Sequence, residues 1–357
     1  MQKNNEPSVI VDITHSPHVN LYKNAIKILM KNNFVVNVAL RPRGRLISIF
    51  KKECPDVPYF IIGHHRKNIT GKMLDLIERD VGLYKYFRKN RFDIGTGGGI
   101  NLTHIAPLLG KPSVMFIDDI EYKLTYYLYK PFATYVVIPW HIPASGGNVL
   151  KYSGFRELAY LHPDYFKPNE SALEQYNLDP YEYVFIREVS SASLNYRNME
   201  MGRLTKILDH LKRKGLKILL SIEDKSLVHL FKKDCIIIEE PIEDIHSLLK
   251  YALFTVSSGD SMARESCLVG TPTIYTGGRD MAINRELIKR SCMFKAYNEN
   301  QIKATIDYFI ANEIKKEVDS KIKTAIKDDW VSTTEVILDV LIGTIQDDKS
   351  LLNKYRG

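Results

Sequence analysis

The sequence predicts an α/β protein of two parallel-sheet halves, each sheet covered by helices on both faces. Three observations carry this expectation. Short apolar, β-prone runs alternate with helix-period segments through both halves. A polar stretch from Tyr152 to Pro180, punctuated by Gly154, Pro163, Pro168 and Pro180, separates them. The length of 357 residues is enough for two independent cores.

In the first half, Val9 to Ile13 reads as a buried strand, and Leu21 to Lys31 as a helix with Leu21, Ala25, Ile28 and Leu29 on its apolar face. Strands follow at Phe34 to Leu40 and Tyr59 to Ile62. Lys72 to Arg91 is largely helical, and Ile94 opens the next element. Ile105 to Leu109 is helical up to Gly110-Lys-Pro112, Ser113 to Ile117 is a strand, and Val136 to Pro139 is the last strand expected of this half. The second half offers strands at Tyr183 to Ile186, Lys217 to Ser221, Cys235 to Ile238, Phe254 to Val256 and Thr273 to Tyr275. Helices are expected between them at Met201 to Lys214, Lys225 to Lys232, Ile242 to Tyr251 and Ser261 to Val269. The tail, Ser332 to Asn353, should include a helix. The expected domains are 1–155 and 156–335, followed by a C-terminal helical segment, 336–357.

Composition narrows the class. Apolar content of 45% and charged content of 26% are ordinary for a soluble globular protein. No apolar run approaches the roughly 20 residues of a membrane span. The N-terminus, Met1-Gln-Lys-Asn-Asn-Glu-Pro-Ser8, lacks the apolar core of a signal peptide. Cys54, Cys235, Cys267 and Cys292 lack metal-type spacing, so a reduced, cytoplasmic protein without zinc is expected. The net charge of +8 is uneven: residues 1–165 hold 22 Lys and Arg against 13 Asp and Glu, while the remainder hold 28 against 29. A solvated basic face, an anionic membrane surface at the inner side of the membrane, or a phosphorylated acceptor each accounts for this. Nucleic acid is disfavoured, because the basic residues form no arm and no recognition motif.

The most informative stretch is Thr255-Val-Ser-Ser-Gly-Asp-Ser-Met-Ala-Arg-Glu-Ser-Cys-Leu-Val-Gly-Thr-Pro-Thr-Ile274. It reads as strand, small-residue loop, helix, Gly-x-Pro turn and strand. Ser257 to Asp260 cannot continue the strand, and Asp260 or Ser261 can cap a helix whose first turn then faces an anion. A helix N-terminus at the carboxyl end of a strand, preceded by Ser-Ser-Gly, suits a diphosphate. Glu265, one turn further on, can accept hydrogen bonds from ribose hydroxyls. The next strand ends in Thr276-Gly277-Gly278.

This combination resembles the donor-sugar site of GT-B glycosyltransferases and of the related UDP-N-acetylglucosamine 2-epimerases. Other segments resemble the domain-of-unknown-function family 354: Asp12-Ile-Thr-His-Ser-Pro-His-Val-Asn20, Tyr152-Ser-Gly-Phe-Arg-Glu-Leu-Ala-Tyr-Leu161 and Met262-Ala-Arg-Glu265. They span nearly the whole chain. The resemblance implies the GT-B fold, two Rossmann-like domains facing a central cleft, with the last helix able to cross back to the first domain. It also implies a donor site made by Ser258, Gly259, Ser261, Met262, Glu265 and Gly277. Arg187 would neutralise the diphosphate, and Ile242 would touch the nucleotide base after the Glu239-Glu-Pro-Ile-Glu-Asp244 turn.

Acceptor-side candidates come from loops of the first half. Thr14-His-Ser-Pro-His-Val-Asn20 follows the first strand and carries His15, His18 and Asn20 at the carboxyl edge of the sheet. Histidine suits proton abstraction near neutrality, and His18-Val19 is similar to the His-Val at the first helix start of the peptidoglycan N-acetylglucosaminyltransferase. His18 is the leading base, His15 the next; the structural alternative is that His18 and Asn20 cap the helix. Ile62-Gly-His-His-Arg-Lys67 offers His64, His65 and Arg66 to an anionic acceptor or to solvent. Gly95-Thr-Gly-Gly-Gly-Ile-Asn101 lacks the full dinucleotide fingerprint and reads as an acceptor-side loop, with Gly98 allowing close approach and Asn101 or Thr103 as a cap. Asp118, at the end of Phe116-Ile-Asp-Asp-Ile-Glu121, is the alternative base, while Asp119 and Glu121 can cap the Tyr-rich helix that follows. That helix, aromatic and basic, fits either a lipid-linked acceptor or tyrosine packing.

The expected function is transfer of a sugar from a nucleotide-diphosphate donor, UDP-linked in the first instance, to a hydroxyl of a glycan or lipid-linked acceptor, in cell-surface polysaccharide synthesis. No cofactor and no metal are expected. The nearest rival is a UDP-sugar 2-epimerase or hydrolase, against which Ile186-Arg-Glu-Val-Ser190 stands where those epimerases carry His-Arg-x-x-Asn. A non-catalytic carbohydrate or nucleic-acid binding protein is the third reading.

Overall fold

The computed structural model describes residues 6–356 apart from 65, 67, 121–122, 191–202, 239–241 and 243. It divides into two compact units, Met1–Tyr165 with Trp330–Gly357, and Phe166–Asp329.

The first unit holds a seven-stranded sheet: β1 Ser8–Ile13, β2 Val35–Leu40, β3 Tyr59–Ile61, β4 Ile94–Gly97, β5 Ser113–Phe116, β6 Tyr135–Pro139 and β7 Val149–Tyr152. Their order is β3-β2-β1-β4-β5-β6-β7, and every pairing is parallel. All six residues of β1 are buried, as a strand covered on both faces requires. The helix that follows, Ser16–Lys31, buries Val19, Leu21, Tyr22, Ala25, Ile26 and Leu29 at three- and four-residue spacing. β7 corrects the expectation that Val136 to Pro139 ends this half. It sits partly inside the expected connection and pairs in register from Val136 with Val149 to Pro139 with Tyr152. Lys151 N–H also donates to Tyr355 O at 2.7 Å.

The tail helix, Thr333–Gln346, packs beside Ser16–Lys31. Its N-cap Ser332 accepts from Glu335 N–H. Thr333 Oγ1 donates to Phe155 O and Thr334 Oγ1 to Ala159 O, both at 2.7 Å, while Trp330 sets its ring edge-on to Phe155 with centroids 4.7 Å apart.

The second unit holds a six-stranded sheet: β8 Tyr183–Glu188, β9 Lys217–Ile222, β10 Ile236–Ile237, β11 Phe254–Ser257, β12 Thr273–Tyr275 and β13 Met293–Lys295. The order is β10-β9-β8-β11-β12-β13, again all parallel. β13, an edge strand, is not among those the sequence suggested. The helix expected over Met201 to Lys214 is a 3₁₀ turn at Arg203–Ile207 followed by a helix at Leu208–Arg213, with 201 and 202 outside the described residues. Lys225 to Lys232 likewise divides into a 3₁₀ turn, Lys225–Leu227, and a short helix, Val228–Phe231. Lys315 ties two helix ends together: its Nζ donates at 2.7 Å to Lys250 O, in the last turn of helix Ile245–Tyr251, and at 3.1 Å to Gly270 O, just past helix Asp260–Leu268. Those carbonyls lie at the negative ends of the helix dipoles.

Both sheets wind alike. The first strand lies centrally, the second and third extend to one side, and the fourth starts the other side. The winding reverses between β1 and β4, and between β8 and β11. In open α/β sheets, ligands bind outside the carboxyl ends of the strands at this reversal.

Candidate functional site

In the first unit the reversal brings the loops after β1 and β4 together. Asp12, the penultimate residue of β1, is buried. Its Oδ1 pairs with Arg79 Nη2 from the Ile69–Asn90 helix, and its Oδ2 has no hydrogen-bond partner among the described residues. Burial raises the Asp12 pKa, and the neighbouring Arg79 offsets only part of that rise. The three glycines that close β4 lie against this carboxylate and the next loop. Gly97 takes φ +153, and a Cβ on it would sit 2.3 Å from Asp12 O. A Cβ on Gly98 would lie 1.9 Å from His18 Cε1, and one on Gly99 would lie 2.2 Å from Asp12 Oδ2. Only glycine permits these approaches. Gly98 N–H donates to Asp12 O at 3.0 Å.

His18 stands in the first turn of Ser16–Lys31, whose N-cap is His15 with no side-chain cap bond. The helix therefore starts ahead of His18 and Asn20, and neither side chain caps it, contrary to the structural alternative. Asn20 is half-buried on the same helix. Thr14 Oγ1 lies 3.5 Å from His18 Nδ1, and the His15 and His18 ring centroids are 5.5 Å apart. Burial pushes the His18 imidazole down to about 3, helped by positive charge on Arg156 and His15 and opposed by Asp118. It is thus neutral at ordinary pH. His15 is exposed, and its Nε2 accepts from Arg43 Nη1 at 2.6 Å. Asp118 is half-buried and paired with Arg156 Nη1 at 2.8 Å.

The other first-unit candidates lie apart from this cluster or are engaged structurally. Asn101 is buried; its Oδ1 accepts from Arg79 Nε at 3.3 Å, and its Nδ2 donates to Asp80 Oδ1 at 2.8 Å and Leu76 O at 3.2 Å. The cap of its helix is Ile100, not Asn101 or Thr103. His64 is exposed; its N–H donates to Asp75, and its Nδ1 lies 3.0 Å from Glu78 Oε2. Arg66 Nη2 donates to Glu78 Oε1 at 2.8 Å. His64, Asp75 and Glu78 place ligand-type atoms within 4.8 Å of one another, but Arg41 and Arg66 already hold the two carboxylates. His65 lies outside the described residues.

In the second unit the reversal joins the ends of β8 and β11. Ser258 is buried and staples them: its Oγ accepts from Val189 N–H at 2.9 Å and donates to Arg187 O at 3.2 Å. Gly259 is required by proximity, since a Cβ there would lie 2.6 Å from Val189 Cγ1. Gly259 is also the N-cap of helix Asp260–Leu268, without a side-chain cap bond. This corrects the expectation that Asp260 or Ser261 caps it. Asp260 is instead buried in the first turn, where its carboxylate accepts from Tyr275 Oη and from Arg279 Nη1, the latter at 2.8 Å.

Ser261 is exposed on that first turn, and Met262 is half-buried. Glu265 is half-buried one turn on, with Oε1 at 3.6 Å from His246 Nε2. Arg187 is half-buried at the end of β8; its Nη1 donates to Ser221 Oγ at 2.6 Å, and its Nη2 pairs with Glu223. Gly277 passes close under the Tyr275 ring, 2.3 Å separating a Cβ there from the hydroxyl. Ile242 is half-buried, and residues 239–241 and 243 of its turn lie outside the described residues.

Sequence reasoning did not single out Arg79, Tyr275, Arg279 or His246. Asp12 stood inside a quoted motif, and an acid closing an apolar strand was the available signal. The partners are distant in the chain, Arg79 lying 67 residues from Asp12.

The family model for "Protein of unknown function (DUF354)" matches residues 8–342. The chain belongs to this family. An uncharacterized protein of Methanocaldococcus jannaschii, MJ0665, is 23% identical over 318 residues, covering 84% of this chain and 90% of that protein. Among solved structures, the UDP-GlcNAc 2-epimerase from Neisseria meningitidis bound to UDP-GlcNAc aligns with a TM-score of 0.69 at 12% identity, over 94% of this chain and 99% of that one. MurG of Acinetobacter baumannii aligns with a TM-score of 0.62 at 16% identity, over 96% and 100%. The glycosyltransferase VinC in complex with dTDP gives 0.68 at 12%, over 95% and 100%. The DUF354 chain therefore shares the GT-B fold, and these neighbours are enzymes, glycosyltransferases and epimerases.

Proposed function

We propose that this DUF354 protein is a glycosyltransferase that moves a sugar from a nucleotide-diphosphate donor, UDP-linked in the first instance, to an acceptor hydroxyl. One observation carries the reading: in each unit, the loops singled out in the sequence meet at the point where the sheet reverses. In the second unit, the exposed Ser261 and the N–H groups of the first turn of Asp260–Leu268 suit a diphosphate, and Glu265 suits the ribose hydroxyls. Arg187 lies at the adjoining strand end, its guanidinium shared with Glu223 and Ser221. A diphosphate would draw it into charge-assisted hydrogen bonds.

In the first unit, His18 is the base. Burial keeps the ring unprotonated at neutral pH but also makes it a weak base, so proton uptake depends on a charge that stabilises the imidazolium. Asp118 supplies the nearby negative charge that favours the imidazolium as the acceptor's proton arrives. The acceptor is a glycan or a lipid-linked sugar, and the basic excess of the first half is available to an anionic membrane surface.

The donor half of this reading is tested by thermal shift and calorimetry with a panel of UDP-, GDP-, ADP- and CMP-sugars, since a ligand of the native state raises the unfolding midpoint. A UDP-sugar should give the largest shift. Glu265→Ala should weaken its binding by roughly 1–3 kcal/mol, the scale of hydrogen bonds to a charged group. Unchanged affinity for every nucleotide sugar in Glu265→Ala would remove Glu265 from the donor site.

A further inference from the structure

We propose that the acceptor carries a phosphoryl group held by Arg43, beside His15 and His18 at the carboxyl edge of the first sheet; this deepens, and rests on, the acceptor role given to that unit. Arg43 lies in the turn Arg41-Pro-Arg-Gly-Arg45, which leaves β2 and takes Gly44 through φ +52 before the helix Leu46–Glu53. Arg41 N–H donates to Ile13 O at 3.1 Å, which fixes the start of this turn against the end of β1 and its histidine loop. The Arg43 side chain is half-buried, and its Nη1 donates to His15 Nε2 at 2.6 Å. The His15 ring in turn lies 5.5 Å, centroid to centroid, from that of His18. One imidazole thus separates Arg43 from His18, so the phosphoryl group belongs to the reacting sugar or to its neighbour.

The surroundings of Arg43 select an anion. Among the described residues it has no carboxylate partner, and burial together with the neighbouring Arg41 works against its charge. A half-buried guanidinium without a counter-charge is unfavourable, so a ligand that supplies one is favoured. Arg41 is already paired with Asp75, whereas Arg45, exposed on the same turn, makes no ion pair among the described residues and brings a second cation. Residues 13–52 hold eight Lys and Arg and no Asp or Glu, so no acid of the local chain neutralises this turn. A phosphoryl group carries up to two negative charges, and its oxygens accept bidentately from a planar guanidinium. A carboxylate carries one charge and a neutral sugar none. The same anion offsets the Arg43 charge that, after burial, Arg156 and His15, opposes protonation of His18. An acceptor bearing it therefore makes the imidazole a better base as it binds.

The test titrates the full chain, saturated with UDP so that a diphosphate site is filled, with glucose 1-phosphate, glucuronate and methyl glucoside. Phosphatidylcholine vesicles with and without a polyprenyl phosphate present the same group on a lipid. Ligand-observed NMR reads the soluble probes, and co-sedimentation reads the vesicles. Glucose 1-phosphate should bind on the order of a few millimolar or tighter, or the polyprenyl phosphate should retain the chain on vesicles. The first result assigns a soluble acceptor and the second a lipid-borne one; either supports the inference. Arg43→Met should weaken that binding about ten-fold or more, the scale of one charge-assisted hydrogen bond, and Arg43→Lys less. UDP affinity should be unchanged in both variants. The inference is overturned if neither phosphoryl probe binds, if Arg43→Met binds it as well as wild type, or if glucuronate or methyl glucoside binds as tightly. It is also overturned if Arg43→Met loses UDP, which would give the guanidinium to the donor. If Arg43→Met does not fold, Arg43→Gln decides by the same comparison. Normal UDP binding with no phosphoryl probe bound sinks this inference and leaves the donor reading standing, whereas Arg43-dependent phosphoryl binding without any nucleotide bound does the reverse.

Discussion

The chemistry at His18 is set by its neighbours. A half-buried imidazole, desolvated and with Arg156 and His15 nearby, is held unprotonated, and Asp118 pulls the other way. If His18 takes the acceptor's proton, His18→Asn should retain donor binding and lower turnover by roughly 10²–10⁴-fold, the usual worth of general base catalysis. Asp118→Asn should lower turnover less, because Asp118 acts on the charge of His18. Normal turnover in His18→Asn with collapse in Asp118→Asn would move the base to the carboxylate. The same shift has a pH signature. The folded state holds His18 at about 3, while the unfolded chain binds the proton near the ordinary 6.5. The unfolded state therefore carries more protons between those values, and stability falls as pH drops through that window. Equilibrium unfolding of His18→Asn should show a shallower loss between pH 6 and about 4 than wild type; parallel curves would mean that His18 titrates normally in the fold.

At the scale of elements, the legible parts of the sequence are those buried on both faces. β1, β8 and β11 are largely apolar runs, and the end of β11 is marked by Ser258 and Gly259, which do not favour a strand. The strands that escaped, β7 and β13, are four and three residues long, and each carries a lysine, so neither holds a full alternation or an uninterrupted apolar run. The equally terminal β3 and β10 were legible because Tyr59 to Ile62 and Cys235 to Ile238 are apolar throughout. The site divides the same way. Small residues at strand ends are visible in the sequence, but what they lie against is set by the sheet. Gly98 was visible as part of a glycine run, while its contact with His18 is a product of β4 pairing beside β1. Gly98→Ala tests that contact. The added methyl would enter the imidazole, so the variant should lose roughly 1–3 kcal/mol of stability, as overpacked sites do. Turnover should fall with it, while UDP-sugar affinity stays at the wild-type value. An unperturbed Gly98→Ala, by denaturant unfolding and by rate, would contradict the packing of this loop on His18.

At the scale of the molecule, the chain builds one sheet, builds a second with the same winding, and returns to the first unit for its last helices. The tail earns its place there through specific bonds, Thr333 to Phe155 and Thr334 to Ala159. Asymmetry of charge follows the sequence halves, with the basic excess confined to the first. The fold is shared with glycosyltransferases and with UDP-GlcNAc 2-epimerases, so the reaction, more than the architecture, separates the two readings. Ile186-Arg-Glu-Val-Ser190, at the end of β8 and just past it, stands where a histidine and an asparagine would favour the epimerase. The most direct test is an assay of UDP release and of the sugar's fate, with a UDP-sugar that binds, in the presence and absence of hydroxyl acceptors. Glycosyl transfer predicts UDP release that depends on acceptor, with the sugar recovered in a new glycosidic bond. Epimerised or hydrolysed sugar at the same rate without acceptor, and no transfer when acceptor is added, would contradict it.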